Sequence, residues 1–193
     1  MDNNQSQQEV VNQEEIEILK SKIRKIPDFP KPGILFYDLF SILNQVDLTQ
    51  ILFNNSIRLI EEFLSRTQQQ ITAVVGLESR GFLLGCVISD RLKVPFVPAR
   101  KKNKLPGAVH KINYTTEYSQ DTLELQVGAL DENSKVLVID DLLATGGSMR
   151  AAEDLIKMSN SSVAGYFAVF EIEIIQGKNN LSNPQNFLSL IKI

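Results

Sequence analysis

Apolar positions recur along this chain in two rhythms. Ile16, Leu19, Ile23 and Ile26 follow helical spacing, with Lys20, Lys22, Arg24 and Lys25 mostly on other faces, which predicts an amphipathic surface helix over 14–26. A second helix is predicted over 48–66, ending in the polar TQQQ. From there short β-branched runs alternate with helical ones. ITAVVGL at 71–77 reads as a buried strand, GFLLGCVISDRL at 81–92 as a helix and VPFVPA at 94–99 as a strand. KVLVID at 135–140, a helix over 147–158 and VAGYFAVFEI at 163–172 repeat the sequence. Strand, helix, strand in succession implies right-handed crossovers and an α/β fold with a doubly wound, mostly parallel sheet.

Two segments break the rhythm. In PDFPKPGILFYDLF, residues 27–40, Pro27, Pro30, Pro32 and Gly33 exclude helix and force an extended, turn-bearing stretch before a short strand at 34–36. Residues 103–127 are polar and then alternate at Leu123, Leu125 and Val127, which predicts a long loop or a hairpin ribbon of the kind that serves as a lid. Residues 1–13 are rich in Gln and Asn and read as a flexible lead-in, so that 14–193 forms a single domain.

Composition narrows the class. The chain has 193 residues, 43% hydrophobic and 22% charged, which is enough for a sizeable core and excludes a disordered or fibrous protein. No apolar run approaches the roughly 18 residues of a membrane span, and MDNNQSQQEVVNQEE has no apolar targeting core, so a cytoplasmic protein with no membrane partner is expected. Twenty Lys+Arg against 23 Asp+Glu leave a net charge of −3, no field to attract nucleic acid. An anionic ligand must therefore be met by a local site. Cys86, the one cysteine, cannot form an intrachain disulfide or a CxxC pair and reads as a small buried hydrophobe in GFLLGCVI. His110, the one histidine, reads as a solvated loop residue, and no GxSxG elbow accompanies it. Any catalysis is left to carboxylates, backbone amides and cations.

The most informative stretch is VLVIDDLLATGGSM, 136–149. A buried strand that ends in Asp140 and Asp141 places acids at the carboxyl end of a parallel sheet, where open α/β folds bind ligands. Thr145, Gly146, Gly147 and Ser148 then open a helix, so that backbone N–H groups and the helix dipole converge on an anion. The lysine and spacing of a Walker A loop are absent. Acids for hydroxyls beside amides for phosphate point to a phosphorylated sugar.

This stretch resembles the 13-residue signature that the type I phosphoribosyltransferases use for 5-phosphoribosyl pyrophosphate: a hydrophobic strand, two acids and a Thr-Gly loop. PDFPKPGILFYDL (27–39), GLESRGFLLG (76–85), RKKNKLPG (100–107), YTTEYSQDTLELQ (114–126) and DDLLATGGSM (140–149) are similar, in order and spacing, to the branch of that family that uses adenine. The likeness runs from about residue 14 to the end. Tyr37 stands where that branch usually has Arg, and the Gln/Asn stretch has no counterpart. The 6-oxopurine branch resembles EDIIDTG in the central motif, with an acid where this chain has Ala144. A non-enzymatic sensor of the sugar pyrophosphate would lack hood and lid.

The resemblance implies a purine salvage enzyme that transfers the 5-phosphoribosyl group to adenine, giving AMP and pyrophosphate, in a homodimer. It implies Mg2+ held mainly by the substrate pyrophosphate and water, with no direct protein ligand. Asp140 and Asp141 would hold the ribose hydroxyls and stabilise the developing cation, and Glu117 would act on the base. Ala144, Thr145, Gly146, Gly147 and Ser148 would hold the 5'-phosphate. Ser79, Arg80, Arg100, Lys101 and Lys104 would serve the pyrophosphate, with Arg100 and Lys104 foremost in the cationic run. A hood over 27–40 would contact adenine through Leu35, Phe36 and Tyr37, chiefly by main-chain groups. Tyr118 would pack over the site as part of the lid and Ile172 would lie below the base. A cis peptide between Glu78 and Ser79 is also implied.

Overall fold

Two units, residues 1–63 and 64–193, divide the chain where the sequence predicts one domain. The computed structural model describes residues 10–115 and 120–193.

In the first unit, helix α1 (Gln13–Lys22) starts where the Asn12 side chain accepts hydrogen bonds from the N–H groups of Glu14 and Glu15, at 3.1 and 3.3 Å, a helix N-cap. The N–H of Asn12 donates to Asn55 Oδ1 at 2.9 Å, and Asn55 Nδ2 donates to Glu15 Oε2 at 2.7 Å. Asn12 and Gln13 thus belong to the fold and not to a flexible lead-in. The helix predicted to reach Ile26 stops at Lys22, and Arg24–Pro27 form strand β1 instead. Pro27 disfavours helical backbone at Ile26. An antiparallel partner, β2 (Leu35–Asp38), gives the segment a ladder, and Arg24 Nε donates to the buried Asp38 carboxylate at 3.0 Å. Helices α2 (Phe40–Leu43) and α3 (Val46–Thr67) follow, the latter burying Leu48, Leu52, Leu59, Ile60 and Phe63 along one stripe.

The second unit is built on a seven-stranded sheet. β3 (Ala73–Leu77), β4 (Phe96–Lys101), β7 (Lys135–Leu143), β8 (Ser162–Glu171) and β9 (Phe187–Lys192) lie in the order β4-β3-β7-β8-β9 with every neighbouring pair parallel. The polar excursion is the predicted hairpin alternative: β5 (Val109–Thr115) and β6 (Gln120–Gln126) pair antiparallel, and β6 joins β4 antiparallel at the sheet edge. His110 is therefore a strand residue, opposite Leu125, and not a loop residue. The strand at 187–192 was not legible in FLSLIKI, whose apolar run carries no clear period.

Helix α4 (Arg80–Leu92) joins β3 to β4, and α5 (Gly147–Met158) joins β7 to β8. Right-handed crossovers that depart in opposite directions put these helices on opposite faces. Ala73, Val75, Leu77, Val136, Val138 and Tyr166 pack with Met149, Ala152 and Ile156 of α5. Val74 and Phe96 face α4, where a Cβ on Gly85 would lie 2.6 Å from the Phe96 ring. The α4 stripe that turns inward is Gly81, Leu84, Gly85, Ile88 and Ser89. Cys86 falls off that stripe and is exposed, which corrects the reading of a buried thiol. The chain reverses its direction of travel across the sheet between β3 and β7, and that is the switch point at which such sheets bind ligands.

Candidate active site

At the switch point β3 ends at Leu77 and passes through Glu78 and Ser79 into α4; the Glu78–Ser79 peptide is cis, as the resemblance implies. β7 parts from β3 after the Gly76–Ile139 pair but stays with β8 as far as Leu143. Asp140 and Asp141 therefore lie three and two residues before the end of a strand predicted to end at Asp140. They stand where that strand has lost one neighbour and kept the other. Gly81 makes this arrangement possible, because a Cβ there would lie 2.6 Å from the Ile139 carbonyl oxygen. With no side chain in the way, the start of α4 reaches the end of β7, and Arg80 Nε donates to Asp141 Oδ2.

The two acids differ in environment. Asp141 is buried and paired with Arg80, whereas Asp140 is half-buried and its Oδ1 accepts the Asp141 N–H at 2.9 Å. Desolvation, and next the neighbouring Asp141 charge, hold the Asp140 carboxyl well above the usual carboxylate range.

Beyond Leu143 the chain turns through Ala144 and Thr145 to Gly146, whose φ of 82° lies in the left-handed region, and α5 begins at Gly147. The first N–H groups of a helix have no partner within it, so the 144–148 turn offers amides and dipole to an anion. Tyr114 of β5 hydrogen-bonds Ser148, and burial pushes its phenol up. Ile172 follows β8 directly and donates its N–H to the Leu143 carbonyl at 3.0 Å.

The cations stand at the end of β4. Arg100 holds Glu78 in a two-pronged pair, Nε to Oε2 at 3.1 Å and Nη2 to Oε1 at 2.9 Å, while Nη1 donates to the Lys104 carbonyl at 3.0 Å. The hydrogen bond from Arg100, partly opposed by burial, lowers the Glu78 carboxyl, and the Lys101 N–H and the charges of Arg100 and Lys104 add to the effect. Lys101 Nζ pairs with Asp121 of β6 at 3.0 Å. Lys104 is exposed. Thus Ser79, Arg80, Arg100, Lys101, Asp140, Asp141, the 144–148 turn and Ile172 all gather at the carboxyl ends of β3, β4, β7 and β8. Glu117 and Tyr118 lie outside the described residues.

In the first unit, β1 and β2 pair Pro27 with Leu35, Ile26 with Phe36, Lys25 with Tyr37 and Arg24 with Asp38. Pro27 has no N–H to give to this ladder, and the Arg24 N–H donates to Ser41 Oγ at 2.9 Å. Leu35 and Tyr37, two apart on β2, direct their main-chain groups to the same edge of the strand. The Phe36 ring meets that of Phe29 edge-on at 5.0 Å.

Four residues escaped the sequence reading. Glu78 and Tyr114 lie inside quoted segments, but nothing local marks the first as a partner of Arg100 or the second as a partner of Ser148. Gly177 and Asn180, which pack behind the 144–148 turn, carry no motif at all.

Residues 44–176 match the model of the phosphoribosyl transferase domain. The adenine phosphoribosyltransferase of Koribacter versatilis is 41% identical over 166 residues, 86% of this chain and 87% of that protein. The adenine phosphoribosyltransferase of Saccharomyces cerevisiae, crystallised with an imino-altritol bisphosphate and adenine, superposes with a TM-score of 0.85 at 35% identity, covering 93% of this chain and all of that one. That of Trypanosoma brucei, in complex with AMP, pyrophosphate and ribose-5-phosphate, gives 0.80 at 26% identity over 92% of this chain and 79% of its own. With the acid pair and glycine turn at the switch point of the same sheet, these matches over most of its length make the chain a member of the phosphoribosyl transferase family and, within it, of the adenine phosphoribosyltransferases.

Proposed function

We propose that this chain transfers the 5-phosphoribosyl group of 5-phosphoribosyl pyrophosphate to adenine, forming AMP and releasing pyrophosphate. The observation that carries the proposal is the acid pair Asp140–Asp141 directly ahead of the 144–148 turn, at the switch point of a parallel sheet. The relatives' named activity and the ligands named in two of the solved complexes agree with it.

The reaction needs no covalent nucleophile. As the bond from the anomeric carbon to pyrophosphate breaks, positive charge grows on the sugar ring, and protein groups act by orientation and electrostatics. The 144–148 amides would fix the 5'-phosphate. Asp140 would accept from a ribose hydroxyl and face the growing charge; Asp141 would hold Arg80 in place for the pyrophosphate as well as contact the sugar. Ser79, Lys101 and Lys104 would complete the pyrophosphate site. Arg100 would join them by exchanging one carboxylate contact with Glu78 for phosphate oxygen. Main-chain groups of Leu35 and Tyr37 would read adenine, Phe36 would pack against it, Ile172 would lie below the base, and Glu117 and Tyr118 would close over it.

Magnesium would sit on the substrate. The donor set fits this: Asp141 is already committed to Arg80, and an octahedral ion that keeps phosphate and water ligands needs no protein cage. When bound it offsets charge on the leaving pyrophosphate. No helix among the described residues is long and apolar enough to cross a membrane. A cytoplasmic homodimer follows from the family resemblance, and light scattering on purified protein and fractionation of cells measure it.

The deciding assay is AMP formation from adenine and 5-phosphoribosyl pyrophosphate, with and without magnesium. Magnesium-dependent AMP and pyrophosphate in equal amounts are expected; no product from adenine, or equal use of hypoxanthine, overturns the proposal.

A further inference from the structure

We propose that Gly177 and Asn180 form a brace behind the 144–148 turn that aims its amides at the 5'-phosphate, an inference that rests on the phosphate assignment above. Both residues lie in a short 3-10 turn, Gly177–Asn180, that follows β8. Asn180 Nδ2 donates to the Thr145 carbonyl at 2.7 Å. The Ala144 carbonyl oxygen lies against Gly177: a Cβ there would overlap it and come within 2.8 Å of the Ala144 carbonyl carbon and 2.7 Å of that of Thr145. Two successive carbonyls, those of Ala144 and Thr145, thus face the 177–180 turn.

In a trans peptide the C=O and the following N–H point to opposite sides. The N–H groups of Thr145 and Gly146 are therefore directed away from the brace. On that far side they add to the unpaired N–H groups that open α5. If either peptide flipped, a carbonyl oxygen would face the phosphate where an N–H should be. The packing is reciprocal, since a Cβ on Gly146 would overlap the Gly177 carbonyl oxygen.

The brace is itself anchored. The N–H of Ser182 donates to the buried Glu153 carboxylate at 3.2 Å, and the Ser182 hydroxyl accepts from Arg150 at 2.7 Å and from Lys157 at 3.3 Å. Both cations and Glu153 belong to α5, so the helix that follows the phosphate turn also holds the segment that backs it. Asn180 touches no reacting atom. It is a positioning residue that acts through Thr145.

The test compares Asn180→Ala with a Thr145→Ala, Ser148→Ala double variant, using calorimetric titration with ribose 5-phosphate and with pyrophosphate, and steady-state kinetics. Asn180 is exposed and its loss removes one hydrogen bond, so the variant folds. Asn180→Ala is expected to weaken ribose 5-phosphate about three- to tenfold, the worth of one hydrogen bond, and to raise the KM for 5-phosphoribosyl pyrophosphate alike. Pyrophosphate affinity and the KM for adenine should stay as they are. Gly177→Ala should lose more sugar-phosphate affinity, because backbone must move. Unchanged ribose 5-phosphate binding in Asn180→Ala, with loss in the double variant, overturns the brace and leaves the phosphate assignment standing. Unchanged binding in both overturns the assignment and the brace with it. Equal weakening of every ligand by Asn180→Ala would mark general loosening and also defeat the brace.

Discussion

Asp140 and Asp141 are adjacent, yet the structure gives them different consequences on substitution. A carboxyl whose pKa is raised by folding is ionised at a cost above its unfolded value. Asp140→Asn removes that cost, so stability to urea should hold or rise while kcat falls about a hundredfold or more. Asp141→Asn leaves Arg80 without its carboxylate partner, and should lose both turnover and stability. The raised Asp140 group takes up its proton at higher pH than an ordinary aspartate does. The acid limb of kcat/KM should therefore lie above the usual carboxylate range and move down in Asp141→Asn, which removes a neighbouring charge. An Asp140→Asn enzyme with full activity, or a pH profile blind to Asp141, contradicts this account. Tyr37 poses a separate question, since it departs from the family's usual Arg. Main-chain groups of Leu35 and Tyr37 share one edge of β2, and base contacts made by them would survive a side-chain change. Adenine should be preferred to hypoxanthine by at least about a thousandfold, as a site that hydrogen-bonds one edge rejects its donor–acceptor inverse. Tyr37→Arg should alter that ratio little. Competition assays with both bases measure it, and collapse of selectivity in the variant would assign the reading to the side chain.

At the scale of elements, α5 is tied to the sheet by a buried acid the chemistry does not use. Glu153 accepts from Lys157 at 2.5 Å, from the buried Tyr166 hydroxyl at 2.8 Å and from the Ser182 N–H at 3.2 Å. Burial by itself would raise its carboxyl, but the hydrogen bonds from Lys157, Ser182 and Tyr166 outweigh burial and bring it to about 2 from 4.5. A depressed carboxyl contributes stability that is fully present above its unfolded value and is lost as pH falls through the folded one. The window is thus from about pH 4.5 down to about pH 2, and the contribution is at most about 3 kcal/mol. Denaturant titrations across that window should show a steeper loss for the natural protein than for Glu153→Gln, which is expected to start lower at neutral pH. Parallel curves would show that the acid is not linked to folding. The same element-scale view explains why the hairpin was half legible. Alternation at Leu123, Leu125 and Val127 marks one strand, whereas its pairing to β4 through Arg100–Glu124 depends on a neighbour in space.

For the whole molecule, a net charge of −3 gives no overall field to draw a polyanionic substrate, so on the proposed reading the local cations at the carboxyl ends of the strands would have to do so. Raising ionic strength from about 0.01 M to about 0.15 M shortens the Debye length from about 30 to about 8 Å. Affinity for 5-phosphoribosyl pyrophosphate should drop several-fold over that range, and the uncharged adenine should show no such trend. Lys104→Gln should weaken sugar-pyrophosphate binding about two- to fivefold at low salt and flatten its salt dependence, because an exposed ammonium is readily screened. An unaltered slope in the variant would remove Lys104 from the site. The sequence by itself determined the alternation of elements, the parallel core and the place of the acid pair ahead of a glycine turn, since each depends on periodicity or on residues next to one another. Only the tertiary structure decided where β7 ends, which acid Arg80 holds, that Glu78 occupies Arg100, that Arg24–Pro27 leave the helix for a ladder, and that Asn180 stands behind Thr145. Those pairings join residues 14 to 61 positions apart, and chain topology and strand register, which no local pattern encodes, bring them within hydrogen-bond reach.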